Sequence, residues 1–339
     1  MLKGEVRAMN TIPVSIEPLT ATELVPAYDR NRYPYDRYPS DILETTRLLD
    51  DRHRPIRFWH YTSASGFLGI VQDRQLRLGN VRFMNDTQEL AHGQLLARAV
   101  LKQLREASDA PSHGALATMR DWVDNLRGFD RGVYAFCLST ARDDLSQWRA
   151  YCPDGVGYCL GFEPRRLAAL TTSQGCKLVK CDYDDSSKSG RVRELFEGWL
   201  PRVAESPPNR SNELEREFRR EFVSLAAELK HVAFQAEGEW RLVCYPVEDS
   251  DRRLKFWPGR RIPTPYLEIG IDPREFEWGD LNRIDWMVQP IHEVLVGPSP
   301  RETQSADTAR LVMKRAGLLS PYCEMSSTRI PYGGPAWFE

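Results

Sequence analysis

The stretch from residue 58 to residue 86, FWHYTSASGFLGIVQDRQLRLGNVRFMND, constrains the fold most because it predicts two strands and a helix in immediate succession. Its aromatic start suits a pleated, half-buried surface and predicts a strand that ends at residues 60–62. Apolar residues recur at i, i+3 and i+4 from Phe67, which predicts a short helix with one buried face. A second strand is predicted over 76–83. Such rapid alternation of element types favours an α+β fold.

The charge balance gives no whole-chain reason to expect a nucleic-acid or membrane partner. The 339 residues include 46 basic and 48 acidic side chains, for a net charge of −2. Strongly basic chains are the ones whose overall field attracts nucleic acid or anionic lipid. A local basic groove is still compatible with this total.

Cysteine usage and hydropathy together predict a cytoplasmic protein. The seven cysteines are odd in number and form no C-x-x-C pair, which is typical of a reducing compartment. No apolar segment follows the N-terminal residues, and no run of about 18 apolar residues occurs, so neither a signal peptide nor a membrane partner is expected.

The chain is predicted to consist of an extended arm, residues 1–50, and a single domain, residues 51–339, with a helical insertion over 186–234. Repeated Tyr-Pro and Asp-Arg steps in the arm cannot sustain a regular helix, apart from one short helix over 41–50. The arm's four tyrosines are expected to pack on the domain's flank, line a groove or bind a partner.

Hydrophobic periodicity predicts the remaining elements. The predicted strands are 132–140, 156–162, 178–183, 239–244, 266–271 and 291–297. The predicted helices are 87–107, 115–126, a short one that holds Trp148 and Tyr151, 192–200, 212–234 and 306–316.

Three polar motifs fall at strand ends, where site residues are common. They are His60-Tyr61-Thr62, Ser139-Thr140 and Glu237-x-Glu239. If both glutamates lie in the strand, their carboxylates point the same way and repel each other unless a cation or a cationic transition state lies between them. In the alternative interpretation, Arg241 neutralises Glu239 in a surface ion pair.

The order of these motifs resembles that of the ADP-ribosyltransferase superfamily, whose signature is a first-strand His or Arg, a middle Ser-Thr-Ser or Tyr motif, and a late Q/E-x-E. More closely, HYTS at 60–63, FCLS at 136–139, EGEWR at 237–241 and IHEVLVGP at 291–298 resemble the bacterial domain of unknown function 2971 family, over most of residues 56–330. The resemblance implies an ADP-ribosyltransferase-like split β-sheet core flanked by helices. It also implies that NAD is the substrate and that no metal is needed.

The resemblance implies roles for individual residues. Glu239 would be the principal catalytic residue, because its carboxylate would bind the ribose 2′-hydroxyl and stabilise the oxocarbenium character that builds when the nicotinamide bond breaks. Glu237 would orient or deprotonate the acceptor. His60 would hydrogen-bond a ribose hydroxyl of NAD across the cleft from Glu239; alternatively it is a core histidine bonded to the backbone.

The remaining candidates would support these groups. Thr62 and Ser63 would cap the following helix or touch the ribose. Ser139 and Thr140 would stabilise the catalytic glutamate and the strand end; alternatively their hydroxyls only close the strand. The candidates to stack on nicotinamide, all of which are alternatively core residues, are Tyr61, Trp148, Tyr151 and Tyr158. His60 stands where arginine-specific transferases have Arg, which argues against an arginine acceptor.

The expected partner is a macromolecular acceptor, nucleic acid or protein, with a regulatory partner or antitoxin if the protein is a bacterial toxin or antiphage effector. The predicted insertion over 186–234 would help to select this acceptor.

Two other functions fit the same motifs. One is a metal-dependent nuclease with Mg²⁺ bound by Asp143, Asp144, Glu237 and Glu239. The other is a non-catalytic module that senses NAD, ADP-ribose or a protein partner.

Overall fold

Ten strands and their flanking helices make up the part of the chain that the computed structural model describes, residues 57–84, 89–126, 132–152, 157–207, 210–259, 262–272, 289–319 and 323–331. All of these residues belong to one compact unit, Pro39–Glu339. The predicted arm over 1–50, with its tyrosines and its short helix, lies outside the described residues.

The elements alternate along the chain as an α+β fold requires, so the α+β part of the predicted fold class is confirmed. The strands are β1 (Phe58–Ser63), β2 (Gln75–Asn80), β3 (Tyr134–Ser139), β4 (Gly157–Phe162), β5 (Cys176–Lys180), β6 (Glu239–Cys244), β7 (Leu254–Pro258), β8 (Pro263–Gly270), β9 (Ile291–Val296) and β10 (Glu324–Ser327). The helices are α1 (Ala64–Asp73), α2 (Glu89–Ala107), α3 (Ser112–Asp124), α4 (Leu145–Tyr151), α5 (Pro164–Thr172), α6 (Asp185–Ala204), α7 (Ser211–Ala226) and α8 (Glu302–Arg315).

The strands form one large open sheet. Its main path runs β10-β9-β4-β1-β3-β2-β8-β7, while β6 pairs with both β3 and β5. Every pair of strands is antiparallel except β9 with β10.

The sheet forks at β3. Along one edge, β3 pairs with β6 over its whole length, from Tyr134 to Ser139. Along the other edge, β1 pairs only at Ser139, whereas β2 pairs at Tyr134 and Ala135. Two arms therefore leave the same edge of β3: one continues through β1 and β4, the other through β2, β8 and β7. Helix α1 connects the two arms, and its predicted buried face, Phe67, Ile70 and Val71, is observed.

Helices α2, α3, α6 and α7 pack together and bury one large apolar cluster against the sheet. At its centre Phe218 lies between Phe196 and Phe222, with ring centroids 5.8 and 6.2 Å away. Burying a side chain of this size stabilises the fold by about 1.5–3 kcal/mol, so this layer holds β3, β5 and β6 rigidly from behind. None of the helices described is both long and apolar enough to cross a membrane.

The predicted helix over 212–234 was wrong in its second half, because α7 ends at Ala226. The chain after it is extended and runs beside residue 182: the Asp182 amide donates to the Glu228 carbonyl (2.8 Å) and the Lys230 amide to the Asp182 carbonyl (2.9 Å). Apolar residues at 229 and 232 continue the helical spacing in the sequence, which is why the pattern misled. This break sends Lys230 towards the sheet.

Other predicted bounds differ from the observed ones. The strand predicted over 76–83 ends at Asn80, because the Asn80 side chain accepts from the Arg82 amide and starts a 3₁₀ turn, Val81–Phe83. The helix predicted over 192–200 is α6, which begins at Asp185 because Asp184 caps it. The strand predicted over 178–183 is β5, which lies slightly earlier. The sequence reasoning did not predict α5, β7 or β10.

Candidate functional site

A pocket opens at the fork, where β1 separates from β3. It contains about 320 Å³ of empty space, part of it open to solvent. Its walls come from β1, β3, α4 and the start of β6. The lining residues are Trp59, His60, Tyr61, Cys137, Leu138, Ser139, Gln147, Tyr151, Glu237 and Glu239.

Strand register determines which side chains share a face. Trp59 pairs with Ser139, and Ser139 pairs with Glu239, so these three residues lie in line across β1, β3 and β6. Because successive strand residues point to opposite faces, His60 leaves β1 on the other side of the sheet. Its ring occupies the gap of the fork and stacks on Phe136, with centroids 4.0 Å apart. His60 and Glu239 thus reach the same pocket from different faces.

The ring of His60 has a defined tautomer. Nδ1 lies 2.9 Å from the Cys137 carbonyl oxygen and forms a hydrogen bond with it. Burial lowers the pKa of His60 to about 4, and this hydrogen bond raises the pKa by a smaller amount. The imidazole is therefore neutral at pH 7, and since a carbonyl only accepts, Nδ1 carries the proton. Nε2 is then an acceptor. The backbone bond of the alternative interpretation is present, and the ring also lines the pocket.

Glu239 is the first residue of β6 and is 4% exposed. Arg241 holds its carboxylate at both oxygens, with Nε 2.9 Å from Oε1 and Nη2 2.9 Å from Oε2. Lys230 Nζ also donates to Oε2, and the Glu239 amide donates to the Tyr183 hydroxyl at 3.0 Å. The ion pair that the alternative interpretation expected therefore exists, but it is buried rather than on the surface.

Glu237 does not lie in the strand. It ends a 3₁₀ helix, Val232–Glu237, and Gly238 then turns the chain with a φ of +51°, a conformation that favours glycine. Strand alternation therefore does not align the two carboxylates. Lys230 bridges them instead, with its Nζ 2.5 Å from Glu237 Oε2 and in contact with Glu239. Lys230 is thus the cation that two neighbouring carboxylates require.

Electrostatics keep Glu239 ionised. Burial alone would raise the pKa of its carboxyl, but Arg241 and then Lys230 outweigh burial, and the pKa falls to about 2. Burial likewise opposes the charge of Lys230, yet Glu239 and Glu237 raise the Lys230 pKa above its ordinary value. At neutral pH Glu239 and Lys230 are therefore both charged and in contact.

Acid should destabilise the fold through Glu239. A carboxyl whose pKa is lower in the folded state stabilises that state above its ordinary pKa and loses this contribution as pH falls. For Glu239 the pKa is lowered from 4.5 to about 2, so acid removes about 3 kcal/mol of stabilisation. Urea unfolding at about pH 5 and pH 2 should show this additional loss in the wild type and not in Glu239→Gln. An equal loss in both proteins would contradict the assigned ion pairs.

The Ser-Thr motif connects β3 to the turn before β6. Ser139 Oγ donates to the Glu237 carbonyl (2.6 Å) and accepts from the Ala141 amide (3.0 Å). The Thr140 amide donates to the Gly238 carbonyl at 3.1 Å. Ser139 lines the pocket, whereas Thr140 is exposed and lies outside the lining. Both residues fix the backbone between the two glutamates.

The predicted aromatic residues have different positions. Tyr151 lines the pocket and is 36% exposed. The partial burial of its hydroxyl, together with the nearby Cys137 and the two glutamates, raises the pKa of Tyr151. Tyr61 contributes to the wall, but its hydroxyl is held by the Ala141 carbonyl at 2.8 Å and the Asp144 amide at 3.0 Å.

Three other predicted residues are not part of the pocket lining. Trp148 is buried edge-on to Tyr61, and its Nε1 donates to Asp143. Tyr158 stacks on Phe67 beneath α1. Thr62 pairs with Tyr158 across β1 and β4, and Ser63, rather than Thr62, caps α1 by accepting from the Gly66 amide at 3.2 Å.

Sequence reasoning missed several residues of the candidate site, among them Lys230, Gln147, Cys137 and Tyr183. Lys230 was placed on a helix that does not extend so far. Gln147 and Cys137 line the pocket, and the Cys137 thiol also hydrogen-bonds the Glu239 carboxylate. Tyr183 holds the Glu239 backbone. Only Cys137 had a sequence signal, because it lies two residues before Ser139 in the same strand.

The acidic residues proposed for a nuclease do not converge. Asp143 accepts hydrogen bonds from Trp148, Thr328 and the Arg329 amide. Asp144 caps α4 by accepting from the Ser146 and Gln147 amides. Within the described ranges, no group of three or more His, Cys, Asp or Glu side chains is arranged to hold a metal ion.

Comparison with known proteins finds similarity to one family over part of the chain and indicates no activity. Residues 147–242 match the family model described as Protein of unknown function (DUF2971). The matched segment runs from α4 into β6 and includes Tyr151, Lys230, Glu237 and Glu239. No curated protein and no solved structure matches the chain. The predicted resemblance to the domain of unknown function 2971 family is therefore confirmed over residues 147–242.

Proposed function

We propose that this protein is an NAD-dependent ADP-ribosyltransferase that modifies a macromolecule. The observation that carries the proposal is the fork: β5, β6, β3 and β1 lie side by side, and His60, Ser139 and Glu239 from three of them line one pocket. Residues from the three motifs that resemble the transferase signature therefore meet at one pocket.

Glu239 would supply most of the transition-state stabilisation. When the bond between the ribose C1′ and the nicotinamide nitrogen breaks, the bonding electrons leave with nicotinamide and the ribose becomes oxocarbenium-like. A buried carboxylate already ionised at neutral pH stabilises this charge without reorganisation. The acceptor's oxygen or nitrogen would then attack C1′ and lose its proton.

A hydrogen-bonding site on Glu239 must open for the ribose 2′-hydroxyl. A carboxylate offers about four lone-pair sites, and Arg241 and Lys230 take three of them. The Cys137 thiol donates to the same carboxylate, and a thiol is a weak donor. The ribose hydroxyl would replace Cys137, which leaves the two cationic contacts in place.

The other pocket residues would orient the substrate. Neutral His60 has Nε2 as an acceptor, which suits a ribose hydroxyl as donor. Tyr151 is the exposed aromatic residue of the lining, and its ring would stack on nicotinamide. Glu237 is more exposed than Glu239, with a side chain 26% accessible, so it would orient or deprotonate the acceptor.

The acceptor would be a nucleic acid or protein, and the activity that of a bacterial toxin or antiphage effector in the cytoplasm, with a regulatory partner or antitoxin. The segment 186–234, which forms α6, α7 and the extended chain to Lys230, would help to select the acceptor.

One observation favours a second candidate, a non-catalytic module that senses NAD or ADP-ribose. Both oxygens of Glu239 already accept from cations, as a purely structural glutamate would.

The test uses NAD labelled in its adenylate phosphate. Purified protein is incubated with this NAD and a bacterial lysate, and the product is separated into protein, DNA and RNA fractions while free nicotinamide is measured. Transfer of label to one fraction together with nicotinamide release is expected, with or without a chelator. Neither label transfer nor nicotinamide release, in lysates that contain the partner or trigger, would contradict the transferase and favour the sensing module.

A further inference from the structure

Strand β7 and the start of β8 form an exposed hairpin at the outer edge of one arm of the fork. The pairing runs from Leu254 with Leu267 to Pro258 with Pro263. Residues 255–258 are all exposed, although they belong to a paired strand. The other arm of the fork carries His60. The hairpin therefore presents side chains to solvent on both of its faces.

The hairpin has a local charge that the whole chain lacks. No acidic residue occurs between Asp251 and Glu268, whereas the described part of this interval contains Arg252, Arg253 and Lys255. Arg253 is held by Asp251 and by the Gln174 carbonyl. Arg252 and Lys255 are exposed. In a protein of net charge −2, this segment is the kind of local basic patch that attracts a polyanion.

Aromatic rings accompany the charge. Phe256 is 63% exposed and Trp257 is 37% exposed. Trp257 lies nearly parallel to Tyr266, with centroids 4.6 Å apart, and the Arg77 guanidinium lies over the Tyr266 ring at 5.6 Å. These contacts hold Trp257 as a rigid platform. Exposed aromatic faces beside basic residues are how proteins bind single-stranded nucleic acid, because every base can stack.

The edge of β7 is poorly suited to a protein strand. Pro258 has no amide hydrogen to donate, and a lysine on an edge strand opposes pairing with another chain. The hairpin is equally unsuited to a membrane surface. Phe256 and Trp257 are consecutive strand residues and point to opposite faces, so both cannot enter one bilayer plane.

We propose that the β7–β8 hairpin is a docking surface for single-stranded nucleic acid, which unlike a bilayer is flexible enough to pass around the edge strand. Bases would stack on Phe256 on one face and on Trp257 on the other, and phosphates would be bound by Arg252 and Lys255. If the bound nucleic acid is also the acceptor, that part of the inference rests on the proposed transfer reaction. The binding itself does not rest on it, because docking on the hairpin needs neither NAD nor the pocket.

The test measures fluorescence anisotropy of labelled oligo(dT) and oligo(U), each about 16 nucleotides long, with the full chain and without NAD. We expect binding that weakens with salt. The variant Arg252→Glu/Lys255→Glu should bind at least about tenfold more weakly, and its log–log salt slope should be shallower by about 1.4. Phe256→Ala should lose about tenfold through stacking. The two oligonucleotides distinguish DNA from RNA.

Two matched variants control for nonspecific charge and apolar effects. Lys102→Glu/Arg120→Glu reverses two exposed charges on α2 and α3, and Phe83→Ala removes an exposed ring after β2. Both should bind like the wild type. The proposal is overturned if neither oligonucleotide binds, if the hairpin variants bind as well as these controls, or if the hairpin-dependent binding is to phosphatidylserine vesicles only. Because NAD is absent, none of these outcomes depends on the transferase activity.

Discussion

Replacing Glu239 with Gln should lower NAD turnover by about 10²–10³-fold while leaving the protein folded, because it removes the negative charge that would stabilise the oxocarbenium-like ribose. The amide keeps the shape of the side chain and one oxygen acceptor for Arg241 or Lys230. The measurement is nicotinamide release at saturating NAD, with near-UV circular dichroism as the check on folding.

Glu293 provides a matched control for the Glu239 prediction. It is also a buried strand glutamate, 2% exposed, and it pairs with an arginine, Arg142, whose Nε lies 3.0 Å from Oε1. It does not line the pocket. Glu293→Gln should therefore lose comparable stability but keep its turnover. If Glu239→Gln turns over NAD at the wild-type rate, the carboxylate serves only in its ion pairs and the transferase proposal fails.

A second substitution separates charge from geometry. Glu239→Asp keeps the negative charge but withdraws the carboxylate from the pocket by one methylene. Turnover should fall nearly as far as in the Gln variant if the oxygen must contact the 2′-hydroxyl. Near-normal turnover would instead indicate a longer-range electrostatic role.

Local sequence patterns were sufficient to predict the individual strands around the site. Aromatic and β-branched residues identified β1, and uncharged residues identified β3, because burial on the sheet requires such side chains. Glu239 and Ser139 became candidates because polar residues at strand ends are commonly site residues. These signals are local, and they come from a few consecutive residues.

The arrangement of the site could not be predicted in the same way. Whether His60 and Glu239 reach the same pocket depends on the register of β1 with β3, and the single pair between Trp59 and Ser139 sets that register. Lys230 was missed because the apolar spacing after residue 226 looks helical, while the observed path is determined by hydrogen bonds to Asp182. Such contacts join residues far apart in sequence, and no local pattern encodes them.

Replacing Arg241 with Met should destabilise the protein by about 3–5 kcal/mol, the usual cost of removing one partner from a buried ion pair. Arg241 is 1% exposed, and it donates to Glu239 at two atoms and to the Ala227 carbonyl at 3.0 Å. Its loss leaves Glu239 with Lys230 as its remaining cation and removes the donor that ties the end of α7 to β6. The measurement is urea unfolding followed by tryptophan fluorescence.

A double-mutant cycle shows whether this cost comes from the ion pair. The double variant Arg241→Met/Glu239→Gln removes both charges of the pair, so neither one stays buried without the other. It should therefore be about 2 kcal/mol more stable than the sum of the single losses predicts. The control is Arg142→Met. Arg142 is already 22% exposed and Glu293 keeps Arg57 within 4.0 Å, so the loss should be smaller, about 1–2 kcal/mol. Additive losses in the cycle would mean that Arg241 acts through Ala227 and packing. Coupling would instead mean that the charge pair holds Glu239 in place, which is the preorganisation that the proposed transfer requires.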